Sequence, residues 1–187
     1  MSKEKDANFY TGKGYLKVGK DAYRPLYQEV VNLLPEGQAR IIDLGCGVGY
    51  FARFLLEKGY KYYVGIDFSE HMIELAKKQA PDFEYMLLDL YDSRLKRLIA
   101  KHRIFTILET LEHISNDLKV LKNLPSGATI IGSVPSSKAE GHVRIFKGPW
   151  DVSRRYSSMI KFDFFKPLII NKRKPKNIIT VFRGTII

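Results

Sequence analysis

Arg40-Ile-Ile-Asp-Leu-Gly-Cys-Gly-Val-Gly-Tyr50 is the stretch that decides how this chain folds. Ile41 and Ile42 make a short apolar run of the kind that forms a buried strand. Asp43 stands at its C-terminal end, and Gly45, Gly47 and Gly49 then lead into a helical pattern over residues 51–58. Glycines at this spacing let the backbone turn sharply and approach a ligand with no Cβ in the way. Ligands of open α/β sheets bind at the carboxyl ends of the strands, so this turn is expected to be a binding loop.

The spacing narrows the ligand. A dinucleotide fingerprint reads G-x-G-x-x-G and faces a pyrophosphate, whereas this turn reads D-x-G-x-G-x-G. A carboxylate two residues before the first glycine repels a pyrophosphate but suits a ligand bearing an amino group. Working outward, Tyr62-Tyr-Val-Gly-Ile-Asp67 is a second strand ending in an acid, about 22 residues beyond Gly45, where a ribose-binding carboxylate belongs. Phe83-Glu-Tyr-Met-Leu-Leu-Asp89 is a third strand ending in an acid.

With these three strand ends, residues 40–136 resemble the class I S-adenosylmethionine-dependent methyltransferases, and among them the ubiquinone-biosynthesis O-methyltransferases. The resemblance implies S-adenosylmethionine as cofactor, with Gly45, Cys46, Gly47 and Gly49 in the turn against its methionine part and Asp43 beneath. It places the ribose hydroxyls on Asp67, the adenine face on Phe68 and the adenine edge on Asp89 and Leu90. Glu109 closes the cofactor set. A nicotinamide reading needs a pyrophosphate site and a hydride acceptor, and the sequence offers neither.

The 187 residues, 45% hydrophobic and 27% charged, suit one globular domain spanning residues 1–187. The polar N-terminus and the lack of a long apolar run argue against a secretory signal or a membrane span, so a cytoplasmic location is expected. Cys46 is the single cysteine, which excludes an internal disulfide; a small side chain, not a catalytic thiol, is what the turn requires there. Residues 138–187 carry 12 Lys and Arg against three Asp and Glu, a net of +9 within a whole-chain +11. Such a field can steer an anionic substrate, nucleic acid included, or simply solubilise the final hairpin.

Alternating strand and helix patterns predict an α/β Rossmann-like fold, a doubly wound, seven-stranded, mostly parallel sheet with a terminal antiparallel β-hairpin. Strands are expected near 40–44, 62–66, 84–88, 104–108 and 128–133, and helices near 49–58, 69–79, 92–100 and 115–122. Residues 22–34 have helical spacing, ended by Pro35-Glu-Gly37. The hairpin falls on residues 159–170 and 177–182, joined by the Lys/Arg-rich turn 171–176. Residues 1–20, with Thr11-Gly-Lys-Gly-Tyr15, read as an N-terminal arm. Residues 137–158 read as a loop crossing the active site.

The loop after the fourth strand, Glu109-Thr-Leu-Glu-His-Ile114, should face the transferred methyl. It lacks the (Asp/Asn)-Pro-Pro-aromatic sequence that methyltransferases of exocyclic nitrogens share, and no Pro-Cys dipeptide exists for attack on a pyrimidine. Glu109, Glu112 and His113 are spaced to share one side of a helical turn. His113, His142 and Glu109 are the catalytic candidates. The Glu-x-x-Glu-His pattern also resembles metal-bound ubiquinone-type O-methyltransferases and small-RNA 2′-O-methyltransferases; Glu109, Glu112, His113 and His142 would be the ligands, although no metal is the simpler expectation, with the acids offsetting a helix dipole. Arg144 can clamp an anionic acceptor, and Trp150 and Tyr156 can line its pocket. The resemblance favours methylation of oxygen on a small-molecule acceptor. RNA and a non-catalytic, cofactor-binding partner subunit are the alternatives; oligomeric state is left open.

Overall fold

The computed structural model describes residues 4–11, 22–36, 39–170 and 177–187. The glycines of the N-terminal arm, the helix stop at Gly37 and the Lys/Arg turn 171–176 lie outside them. β1 (Ile41–Leu44) and β2 (Tyr63–Asp67) are buried at every position. That is what an unbroken apolar run accomplishes in a parallel sheet covered on both faces. β3 (Glu84–Leu87), β4 (Ile104–Leu108) and β5 (Thr129–Pro135) continue the parallel set, and β6 (Ile160–Ile169) and β7 (Ile178–Ile186) close it, in the order β3-β2-β1-β4-β5-β7-β6. β7 is inserted antiparallel between β5 and β6, as the hairpin reading expects.

Strand alternation sends neighbouring side chains to opposite faces. Ile41 and Tyr63 pack with Leu26, Val30, Phe51, Leu55 and Ile73 from α1 (Arg24–Leu33), α2 (Tyr50–Glu57) and α3 (Glu70–Gln79). Ile42 and Val64 pack with Leu95, Val120, Val152 and Tyr156 from α4 (Arg94–Ile99), α5 (Asp117–Leu121) and α6 (Pro149–Tyr156). α3 is capped by Ser69, whose hydroxyl accepts from the Met72 N–H. Among the described residues no helix is long and apolar enough to cross a membrane.

Three expectations are corrected. Residues 110–114 form a turn, not a helix, and α5 begins only at Asp117; Glu109 and Glu112 therefore offset no helix dipole. The expected loop over 137–158 contains α6, whose stripe of Val152 and Tyr156 buries one side of an otherwise polar segment. β7 continues to Ile186, past the expected end at 182, and β6 opposes it through a bulge between Phe162 and Phe164.

Candidate active site at the strand-order switch

The chain runs outward from β1 to β3 and returns to β4 on the other side of β1, so the strand order reverses beside β1. The crevice at such a switch is where doubly wound sheets hold ligands. Gly45, Gly47 and Gly49 follow β1 with φ of +81°, +53° and +81°, a region that costs other residues about 1–2 kcal/mol. Their surroundings differ. A Cβ on Gly45 would sit 2.6 Å from the Thr110 side chain, and one on Gly49 would sit 2.7 Å from the Ala76 Cα of α3. One on Gly47 would meet nothing within 4 Å. Gly47 thus opens onto a cradle, while Gly49 permits α2 and α3 to touch and does not line the cavity, unlike its expected place beside the ligand.

The cavity holds about 760 Å³ and is lined by Asp43, Gly45, Cys46, Gly47, Asp67, Phe68, Asp89, Leu90, Glu109, Glu112, His113 and His142 together with residues no motif singled out. Asp43 is buried, with its oxygens accepting from the Tyr63 hydroxyl at 2.6 Å and the Thr106 hydroxyl at 2.7 Å. It straps β2 and β4 to β1 under the turn. Burial pushes its carboxyl up to about 6, against the pull of those two donors. Asp67 accepts from the Gly47 N–H at 2.9 Å and the Ser69 N–H at 3.0 Å, tying the glycine turn to the end of β2. Phe68 is 37% exposed and presents its ring to the cavity, edge to face with Tyr10. The Cys46 thiol is raised by burial and by the two aspartates, which suits a filler and not a nucleophile.

At the far end, Glu109 adopts φ +50°. Its N–H and its Oε1 both bind Ser133 of β5, the latter accepting from the Ser133 hydroxyl at 2.8 Å. Burial lifts the Glu109 carboxyl to about 7, with the Ser133 hydroxyl opposing. Burial, with Glu109 nearby, raises Glu112 as well. Burial and then His142 depress His113 to about 4, and burial depresses His142. Glu112, His113 and His142 each offer a ligand atom within 4.8 Å of the others; Glu109 stands apart, held by Ser133.

Arg144 clamps no ligand. Its guanidinium donates to the carbonyls of Leu111, Ile114 and Ser115 and pairs with Asp117 at 3.0 Å. Asp117 is fully buried and also takes Arg155 and the Tyr156 hydroxyl. Tyr156 is therefore a core residue and Trp150 is 74% exposed; neither lines the cavity. The sequence reading missed the walls. Tyr23, at the N-cap of α1, and Tyr27, on its buried face, line the cavity, their hydroxyls kept protonated by burial; tyrosines where leucine would fill a core were the available signal. Phe9 and Tyr10, in a 3-10 turn (Ala7–Thr11), form a further wall. That segment is tied down by Glu4, which accepts from Tyr91 and the Ser115 N–H, and by Lys5, 3.1 Å from Glu140.

Residues 41–125, from β1 to just past α5, match the family model of a methyltransferase domain. That stretch lies within the residues whose sequence resembles the class I S-adenosylmethionine-dependent methyltransferases. Among curated relatives of this chain, the trans-aconitate 2-methyltransferase of Azoarcus sp. (strain BH72) is 26% identical over 143 residues, covering 73% of this chain and 56% of the relative. An uncharacterized RNA methyltransferase of Leptospira interrogans is 28% identical over 96 residues, 46% of this chain and 21% of the relative. The chain thus spans between a fifth and just over half of the length of these relatives. The crystal structure of the N-methyltransferase NodS from Bradyrhizobium japonicum WM9, in complex with S-adenosyl-l-homocysteine, shares the fold with a TM-score of 0.68 at 12% identity, covering 96% of both chains.

Proposed function

We propose that this methyltransferase uses S-adenosylmethionine to methylate an oxygen atom of a small-molecule acceptor, with residues 1–187 acting as one unit. The observation that carries the reading is the open space over Gly47, continuous with a cavity that ends at Glu109, His113 and His142. The residues fit the cofactor. The glycine turn admits its amino-acid portion, Asp67 can take the ribose hydroxyls with its remaining lone pairs, and Phe68, Asp89 and Leu90 frame the adenine. The bound cofactor supplies an electrophilic sulfonium methyl. Glu109 takes the acceptor's hydroxyl proton, since a carboxyl lifted to about 7 titrates where a general base works best. His113 and His142, held neutral, bound the acceptor beside it.

Two features favour a small acceptor over a polymer. Glu4, Lys5, Phe9 and Tyr10 wall the cavity. Five of the 12 cations of residues 138–187 are internally matched, because Arg144, Arg154, Arg155, Lys166 and Arg183 each pair with a carboxylate. The test is methyl-labelled cofactor incubated with the small-molecule and RNA fractions of a cell extract. Label entering the small-molecule fraction, and lost in Glu109→Gln, is the expected result. Label in RNA, with binding that falls steeply as salt rises, would replace the acceptor class. Cofactor binding with no labelled product in any fraction would favour a partner subunit.

A further inference from the structure

We propose that Glu112 anchors a positively charged amino group of the acceptor, which makes the substrate a small hydroxy-amine; the inference rests on the methyl-transfer reading above. Glu112 lines the cavity and is 1% exposed, yet its Oε2 has no hydrogen-bond partner. An unpaired buried carboxylate oxygen is costly, and native structures rarely keep one unless a partner arrives from elsewhere.

The cations around it already have partners. The Arg144 guanidinium, which acts on Glu112 through space, donates to the carbonyls of Leu111, Ile114 and Ser115 and pairs with Asp117. Lys5, in the cavity wall, pairs with Glu140. His113 Nε2 lies 3.7 Å from Glu112 Oε1, too far for a hydrogen bond, and burial keeps that imidazole neutral. Two guanidiniums, those of Arg144 and Arg155, stand against three carboxyls, those of Asp117, Glu112 and Glu109. One ligand cation completes the balance. Burial and Glu109 disfavour the ionised form of Glu112, and an ammonium placed against it reverses that preference through a charge-assisted hydrogen bond.

The walls suit the same ligand. Tyr23 and Tyr27 line the cavity, and the Tyr23 hydroxyl is close enough to feel both Glu109 and Glu112. Tyr10 stands edge to face with His113, ring centres 6.1 Å apart. Aromatic rings beside a carboxylate attract an ammonium through their quadrupole. An acceptor bearing a carboxylate or phosphate would instead meet two buried acids. Glu109, which accepts from Ser133 at 2.8 Å, is a separate acid. The amine is therefore fixed at one carboxyl while the hydroxyl loses its proton to the other.

Calorimetry on the full chain tests the subsite, with EDTA present throughout so that no divalent ion serves as the partner. The probes are two series that share a hydroxyl and differ in their tails: tyramine, tyrosol and para-hydroxyphenylacetate, then ethanolamine, ethylene glycol and glycolate. In at least one series the amine should bind at least about tenfold more tightly than the matched alcohol, as a charged hydrogen bond predicts, and the acid should bind least. Glu112→Gln should erase that preference and leave S-adenosylhomocysteine affinity unchanged. The comparison of probes on the native chain needs no variant, so it decides the point even if Glu112→Gln does not fold. No amine preference in either series, or a preference that survives Glu112→Gln, overturns the proposal. Lost S-adenosylhomocysteine affinity in a folded Glu112→Gln chain overturns it too, because the carboxylate then serves the cofactor. If the native chain prefers the amine but does not bind S-adenosylhomocysteine, the subsite stands and the methyl-transfer reading fails.

Discussion

The turn after β1 and the turn after β4 line one cavity, yet they are held in different ways. The first is fixed by backbone: three positive-φ glycines, and N–H groups of Gly45 and Cys46 that donate to the Ile66 carbonyl on the neighbouring strand. The second, residues 109–115, is fixed by side chains arriving from 24 to 33 positions later, Ser133 on Glu109 and Arg144 on the turn carbonyls. Backbone geometry leaves a local trace in the sequence, while a remote guanidinium leaves none. The contrast separates the turn proposed to carry the cofactor from the turn proposed to face the acceptor.

The largest effect should come from cutting the side-chain scaffold at its hub. Asp117 is fully buried and neutralises Arg144 and Arg155 while accepting from Tyr156. Removing one partner of a buried pair leaves uncompensated charge, worth about 3–5 kcal/mol. Asp117→Asn should lose that much stability in urea unfolding and loosen the 109–115 turn. A loss under about 1 kcal/mol would mean that the acceptor end does not depend on this network.

The glycine turn should respond position by position. Gly49→Ala combines positive φ with a 2.7 Å approach to the Ala76 Cα, so strain and overpacking together should cost about 3 kcal/mol. Gly47→Ala meets no atom and should cost only about 1–2 kcal/mol of stability, yet weaken S-adenosylhomocysteine by at least about tenfold because its methyl fills the cradle. Equal effects of the two on stability and binding would erase the distinction between packing glycine and binding glycine.

These differences explain what the sequence discloses. The strand ends at Asp43, Asp67 and Asp89 and the glycine turn are legible because each follows an apolar run within a few residues. α6 is not, since only Val152 and Tyr156 of Pro149–Tyr156 are buried and the rest of the helix is polar. Glu109, Glu112 and His113 read as one helical face, but the positive φ of Glu109 sends it to Ser133 and leaves the other two to meet His142. Arg144 reads as an anion clamp because nothing near it in sequence discloses Asp117 or the carbonyls it serves. The walls formed by Phe9 and Tyr10 depend on Glu4 and Lys5 reaching partners more than 80 residues away.

Asp43 probes whether the floor is structural as well as binding. Its carboxyl is lifted from 3.8 to about 6 by burial. A raised carboxyl holds its proton more tightly in the folded chain, so its contribution is full below about pH 4 and is lost as pH rises through about 6. Native stability relative to Asp43→Asn should therefore fall between pH 4 and pH 6, by on the order of 2–3 kcal/mol, and stay level above. A difference independent of pH would show Asp43 ionised without penalty. On the binding side, Asp67→Ala removes a charged hydrogen-bond acceptor and should weaken S-adenosylhomocysteine by about 1.5–3 kcal/mol; unchanged affinity by calorimetry would count against its ribose role.

The smallest effect belongs to the surface, where the C-terminal charge is spent on pairs such as Lys166 with Glu29 at 2.6 Å, joining β6 to α1. The lysine is 48% exposed, so water and salt screen the pair and Lys166→Ala should cost less than about 1 kcal/mol, less still at high ionic strength. The same pairing sets the outcome of an RNA titration. Cations already matched to carboxylates release few counterions, so log affinity should fall only shallowly with log salt, far from the slope of about −0.9 per phosphate contact. A steep slope that Lys166→Ala reduces by about one unit would show that the pair opens to take phosphate, and would move the acceptor from the cavity to the basic face.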